Sequence, residues 1–149
     1  MRYTPDHRSF YDDGPGNTKV CIEVPSDGPG VRGLYYRLSY IQAVLNSSRS
    51  SGIRLLKLLV EDENGHEMCS VFSSYGQGLN KQVYYLFTQN GVYDDVTVPG
   101  STIDRAVRLS IPNDLHLQAG WKVKVLDVNN RDEAEDQLTV SGSYEIIQL

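Results

Sequence analysis

The sequence is short of most features that announce a function. It has only two cysteines, Cys21 and Cys69, in 149 residues. Two are too few for a disulfide framework, and each lies in an apolar, strand-like pattern, which reads as a buried free thiol in a reducing compartment. Basic residues are not in excess: 14 Lys and Arg against 19 Asp and Glu leave a net charge of −5. Broad nucleic-acid binding normally shows as a basic excess or stripe, so no nucleic-acid partner is expected. No run approaches the roughly 18 apolar residues a membrane helix requires, so no membrane partner is expected either. Residues 1–20 are polar and lack the apolar core of a secretory leader, which predicts synthesis in a reducing cytosol.

Residues that carry chemistry are equally thin. His7, His66 and His116 fall in an N-terminal segment, a hairpin tip and a turn, and nothing places one beside a nucleophile and an orienting acid. Ser141-Gly142-Ser143 lacks the form of a nucleophile elbow, and there is no glycine-rich phosphate loop. Asp62, Asn64, His66 and Glu67 crowd one tip, which Asn64-Gly65 already explains as turn chemistry. Asp127, Asn129, Asp132, Glu133, Glu135 and Asp136 crowd a second loop, but without the glycine and closing glutamate of a calcium-binding EF-hand. The expectation is no enzymatic activity, no cofactor and no metal, with residues 129–137 forming a solvated acidic loop.

What is present is β patterning. The pair Asn64-Gly65 sits between two apolar runs, residues 53–60 and 68–72, and predicts a hairpin with a type I′ turn. The first limb is apolar enough to predict a strand buried on both faces. Residues 34–46 alternate, with Tyr36, Leu38, Tyr40, Gln42 and Val44 on one side. A helix competes there, because Leu38, Ile41 and Leu45 also fit a 3.6 period, but three tyrosines and the lack of helix caps favour a strand. Residues 18–24, 81–89, 103–111, 121–128 and 138–147 alternate as well. About eight to nine strands at this spacing predict an all-β fold, an antiparallel β-sandwich of jelly-roll-like type.

Residues 1–33 read differently. Four of the six prolines lie there, with Gly14, Gly16, Gly28, Gly30 and Gly33. Only residues 18–24 alternate like a strand. The expected organisation is an extended Gly/Pro-rich N-terminal arm over residues 1–33, with one short strand, followed by a sandwich domain over residues 34–149. The arm is either a tail or loop folded on its own domain, or a strap whose aromatics Tyr3, Phe10 and Tyr11 anchor on a neighbouring subunit.

Tyrosine is the unusual residue: ten, against three phenylalanines and one tryptophan. Tyr35-Tyr36 and Tyr84-Tyr85 put one ring on each face of their strands. A wet hydroxyl on an apolar ring suits an interface or a sugar platform as well as a core rim. Candidate partner-binding residues are therefore Tyr3, Phe10, Tyr11, Tyr35 and Tyr84.

From Arg54 onward the order of features resembles the small β-sandwich proteins of tailed-bacteriophage virions. It runs RLLKLLVEDENG, then VYYLFTQNG, then VRLSIPNDLHLQAGWKVKVLDVNN, then the closing strand Gln137-Leu138-Thr139-Val140. The junction over residues 110–121 (Ile-Pro, a short apolar pair, Ala-Gly, then an aromatic strand) carries most of the likeness. The resemblance implies a virion structural protein without enzymatic activity, located in the virion and assembled in the host cytoplasm. A capsid decoration (cement) protein is favoured, with the major capsid protein or neighbouring virion proteins as partners and a homo-oligomer, preferably a trimer, as its state. A neck, head–tail connector or tail component of the same class is the alternative. The paired tyrosines leave open a carbohydrate-binding sandwich.

Overall fold

A computed structural model describes residues 6–26, 34–89, 94–96, 103–130 and 132–148. Within them the chain forms eleven strands: β1 (Asp6–Asp12), β2 (Thr18–Glu23), β3 (Leu34–Asn46), β4 (Leu56–Glu61), β5 (Glu67–Phe72), β6 (Gln82–Gln89), β7 (Asp94–Val96), β8 (Arg105–Ile111), β9 (His116–Leu117), β10 (Lys122–Asp127) and β11 (Gln137–Gln148). The wide sheet has the order β1-β11-β3-β6-β8-β7, with β9 also on β3, and the narrow sheet the order β2-β10-β4-β5. All pairings are antiparallel except β6 with β8. Four strands of each sheet, β1-β11-β3-β6 and β2-β10-β4-β5, have the strand order of a jelly roll. The chain alternates between the two sheets except at the β4–β5 hairpin, and β7 to β9 are an insertion ahead of β10. The expected all-β antiparallel sandwich is therefore the fold, and β1, β7 and β9 are the strands beyond the alternating segments.

Alternation builds the core. Leu56, Leu58 and Val60 of β4 and Val123 and Val125 of β10 face inward with no exposure, as do Ile41, Ala43 and Leu45 of β3 and Val83, Tyr85 and Phe87 of β6. Each of the Leu, Ile, Val and Phe side chains contributes about 1.5–3 kcal/mol over an exposed one. Three bulges interrupt the ladders, one of them at Met68 in β5, and the other two re-aim the alternation. β3 and β11 slip register where Ser143 pairs with Tyr40 and Tyr144 with Leu38, leaving Ser39 extra. Leu38 and Ile41 are both buried as a result, while Tyr40 faces out. The 3.6-residue spacing that made a helix competitive is thus a bulge signature. β2 slips where Val123 pairs with Ile22 and Lys124 with Val20, so Val20 faces solvent and Lys19 inward.

Several expectations need correction. Residues 6–26 do not stand apart from the sandwich. β1 pairs with β11 along its whole length, and β2 takes the edge of the narrow sheet. Phe10 packs against the core, and the buried Lys19 ammonium reaches back to Asp12 (3.3 Å) and to the carbonyls of Gly14 and Pro15, tying the β1–β2 loop. An apolar row Phe10–Gly142–Ile41–Phe87–Leu109 crosses five strands, which is why a segment rich in glycine and proline still joins the sheet. β4 is not buried on both faces: Lys57, Leu59 and Glu61 are half-exposed. The hairpin turn is not type I′, since of the pair only Gly65 has positive φ (81°). Instead Gly65 donates to the Asp62 carbonyl (3.1 Å), and the Asp62 carboxylate accepts the N–H groups of Asn64 and His66. Those donors, His66 first, hold the Asp62 carboxyl below its usual range.

The acidic loop is not simply solvated. Asp136 is buried against Arg54, and both side chains are 0% exposed. Arg54 donates from Nε and Nη2 to the two Asp136 oxygens (2.8 and 3.0 Å), from Nη1 to the carbonyls of Ser50 and Gly52, and from Nη2 to Ser48 Oγ. Asp127 is also buried, accepting the N–H of Leu55. Nearby, the buried Gln77 amide donates to the Leu45 carbonyl and accepts from the Tyr85 hydroxyl.

Gly142 tests the packing directly. A Cβ there would lie 2.3 Å from the Tyr40 carbonyl oxygen and 2.7 Å from the Phe10 ring. Gly142→Ala is expected to lower stability by about 1–3 kcal/mol in urea titration. Gly78→Ala, where a Cβ meets nothing within 4 Å, is the near-neutral control.

Candidate interaction face

The two outer faces of the sandwich differ in chemistry. That of the narrow sheet is neutralised by cross-strand ion pairs: Lys57 with Glu67 (2.5 Å), Lys124 with Glu61 (2.9 Å) and Lys122 with Glu23 (3.6 Å). Opposite charges alternate there across neighbouring strands, beside the exposed apolar side chains of Val20 and Phe72.

The outer face of the wide sheet is different. Because Ile41, Ala43, Tyr85 and Phe87 point inward, their neighbours point out. Register then aligns Tyr11, Ser141, Gln42, Leu86 and Arg108 in one row, and Ser9, Ser143, Tyr40, Thr88 and Ser110 in the next. Val44 and Tyr84 pair in the row on the other side of the Ala43–Tyr85 row. Tyr11 is 68% exposed and Tyr40 37% exposed, and Tyr84 is half-buried. Burial pushes the Tyr84 phenol above its usual range; Tyr40 adds to this and Arg108 opposes it, so the three form one electrostatic group. At the far end His7, Glu145, Arg37 and His116 align in a row. There Arg37 is ion-paired with Glu145, and Tyr35 lies against the His116 ring at 4.5 Å.

The anticipated residues divide as follows. Tyr3 lies outside the described residues. Phe10, expected as an anchor on a neighbouring subunit, is turned to the inside of its own sheet and packs on the core. Tyr11 and Tyr84 share the outer face with Tyr40, and Tyr35 sits at its far end on His116. Sequence reasoning missed Tyr40, Leu86 and Arg108. Tyr40 was grouped with Leu38, and only the bulge at Ser39 separates them. Tyr36, on the core side, stacks on Tyr144 at 5.1 Å.

Little on this face suits covalent chemistry. Among the described residues no three or more His, Cys, Asp or Glu come together as a metal site, and no helix is long and apolar enough to cross a membrane. Both cysteines are free and half-buried. Burial pushes the Cys21 thiol up to about 12 and raises Cys69 as well, away from thiolate character at neutral pH.

No family model and no curated protein matches the sequence. Among solved structures, the empty head of turnip yellow mosaic virus aligns at TM-score 0.35 and 6% identity, covering 99% of this chain and 82% of that one. A structure of infectious bursal disease virus, Gx strain, aligns at TM-score 0.33 and 14% identity, covering 99% of this chain and 32% of that one. An agarase, AgWH50C, aligns at TM-score 0.30 and 8% identity, covering 96% and 19%. These are distant likenesses, and the fold assignment rests on the strand order itself.

The phenols of Tyr36 and Tyr84 are both raised, by burial first. Phenolate absorbance should therefore titrate in at least two groups, and Tyr84→Phe should remove signal from the later one. Loss from the earlier group instead would contradict the half-buried placement of Tyr84.

Proposed function

We propose that this chain is a non-enzymatic structural protein of a virus particle. The favoured role is capsid decoration: the chain docks on the assembled shell, against the major capsid protein, through the outer face of its wide sheet. The observation that carries this reading is the pairing of a rigid jelly-roll sandwich with one outer face bearing Tyr11, Tyr40, Tyr84 and Arg108, while the opposite face is neutralised by ion pairs. Tyrosine and arginine are the residues most enriched in binding hot spots, because each presents large area and a polar end at small entropic cost. The sequence resemblance to small virion sandwich proteins points the same way. Repetition over a symmetric shell multiplies modest single contacts into high avidity.

A neck or tail position is the second reading within the same class, and copy number separates the two: many copies per particle for decoration, a ring of a few for the neck. The exposed tyrosines also suit a sugar platform, and a glycan array returning a specific hit with no particle binding would favour that reading over both.

Tyr40→Ala with Tyr84→Ala is expected to weaken binding to purified particles by at least about tenfold, since each hot-spot tyrosine contributes more than about 1 kcal/mol. Thermal unfolding of the variant should stay close to wild type. Unchanged occupancy in a co-sedimentation assay would remove the outer face from the docking role.

A further inference from the structure

We infer that Asn64-Gly65 is a site of spontaneous deamidation, and that hydrogen bonds to Asp62 set its rate. An asparagine followed by glycine is the pair most open to this chemistry, because glycine has no side chain to screen its nitrogen from the neighbouring amide carbon. No other described asparagine precedes a glycine, and Asn90-Gly91 lies outside the described residues. Asn64 and Gly65 are both exposed at the tip of the β4–β5 hairpin, where water and base reach them. This chemistry is independent of the virion role.

The reaction is a ring closure followed by hydrolysis. The Gly65 nitrogen gives up its proton to solvent base and bonds to the side-chain carbonyl carbon of Asn64. The carbon–nitrogen bond of the side-chain amide breaks, and that nitrogen leaves as ammonia with a proton taken from solvent. One water molecule then opens the five-membered imide at either carbonyl, leaving aspartate or isoaspartate at position 64. Nothing is oxidised or reduced. Either product sets a new carboxylate beside Asp62 and Glu63. Isoaspartate also adds one carbon to the main chain, inside the turn that sets the β4–β5 register.

The folded turn resists the first of these steps. The proton that must leave Gly65 is the one donated to the Asp62 carbonyl at 3.1 Å. The same nitrogen has to turn toward the Asn64 side chain, and the chain on both sides of it is pinned. Asp62 Oδ1 accepts the N–H groups of Asn64 (2.9 Å) and His66 (2.8 Å), and Asp62 Oδ2 lies 3.0 Å from His66 Nδ1. The Asp62 N–H donates in turn to the His66 carbonyl at 2.9 Å. A single aspartate therefore ties down both flanks of the reactive pair, and ring closure waits for it to let go.

The test is ageing of the intact protein in warm, mildly alkaline buffer, with conversion at residue 64 followed by peptide mapping and mass measurement. Unfolding in guanidinium chloride releases every bond of the turn and should speed conversion at least about tenfold over the folded protein. In the folded protein Asp62→Ala should speed it at least about fivefold, the factor that one net hydrogen bond is worth. Asp62→Asn keeps an acceptor oxygen and should react more slowly than Asp62→Ala. Asn64→Gln, which would need a larger ring, should show no conversion on the same timescale. No conversion at residue 64 even in the unfolded chain would overturn the site. Equal rates folded and unfolded, an Asp62→Ala protein no faster than wild type, or Asp62→Asn as fast as Asp62→Ala would each overturn the control by Asp62.

Discussion

The structure depends on one buried ion pair. Arg54 and Asp136 are both withdrawn from water, and withdrawing an isolated charge costs several kcal/mol. That cost is offset here because all five guanidinium N–H groups have acceptors, two of them the oxygens of a single carboxylate in fork geometry. The pair sits where the chain leaves the wide sheet after β3, enters the narrow sheet at β4, and returns to the wide sheet at β11. It therefore closes one mouth of the sandwich. Ser48 and Ser50 extend it to Asp132, whose carboxyl their hydroxyls hold below the usual range. Ser47, Gln77 and Tyr85 form a neighbouring network that secures the loop before β6.

With the mouth fixed, the two sheets are free to differ on the outside. The inward rows are nearly all apolar, and the outward rows carry what distinguishes the surfaces: ion pairs on the narrow sheet, tyrosines around Arg108 on the wide one. The bulges at Ser39 and Cys21 decide which side chains go to which surface. Without the first, Tyr40 would join Leu38 inside; without the second, Val20 would face the core. A small change in ladder register thus sets the composition of a whole face.

Much of the fold was legible because period-2 alternation reports burial directly: residues 81–89, 103–111 and 121–128 were placed as strands from pattern alone. β1 was not legible, since DHRSFYD has a single buried anchor, Phe10, and its place is created by Gly142 on a strand far away in sequence. The Arg54–Asp136 pair was equally hidden. A lone arginine before an apolar strand and an aspartate in an acidic loop look solvated until the fold brings them together. The outer face was half legible: Tyr11, Tyr35 and Tyr84 came from tyrosine count and position, while Tyr40, Leu86 and Arg108 required the register.

The most direct test of this account is the coupling energy between Arg54 and Asp136. It is measured by urea denaturation of Arg54→Met, Asp136→Leu and the double variant. Each single change strands a buried charge and should cost about 3–5 kcal/mol, while the double should cost clearly less than their sum. Two small, additive effects, each below about 1 kcal/mol, would mean the pair behaves as a surface contact and the mouth of the sandwich is held by something else.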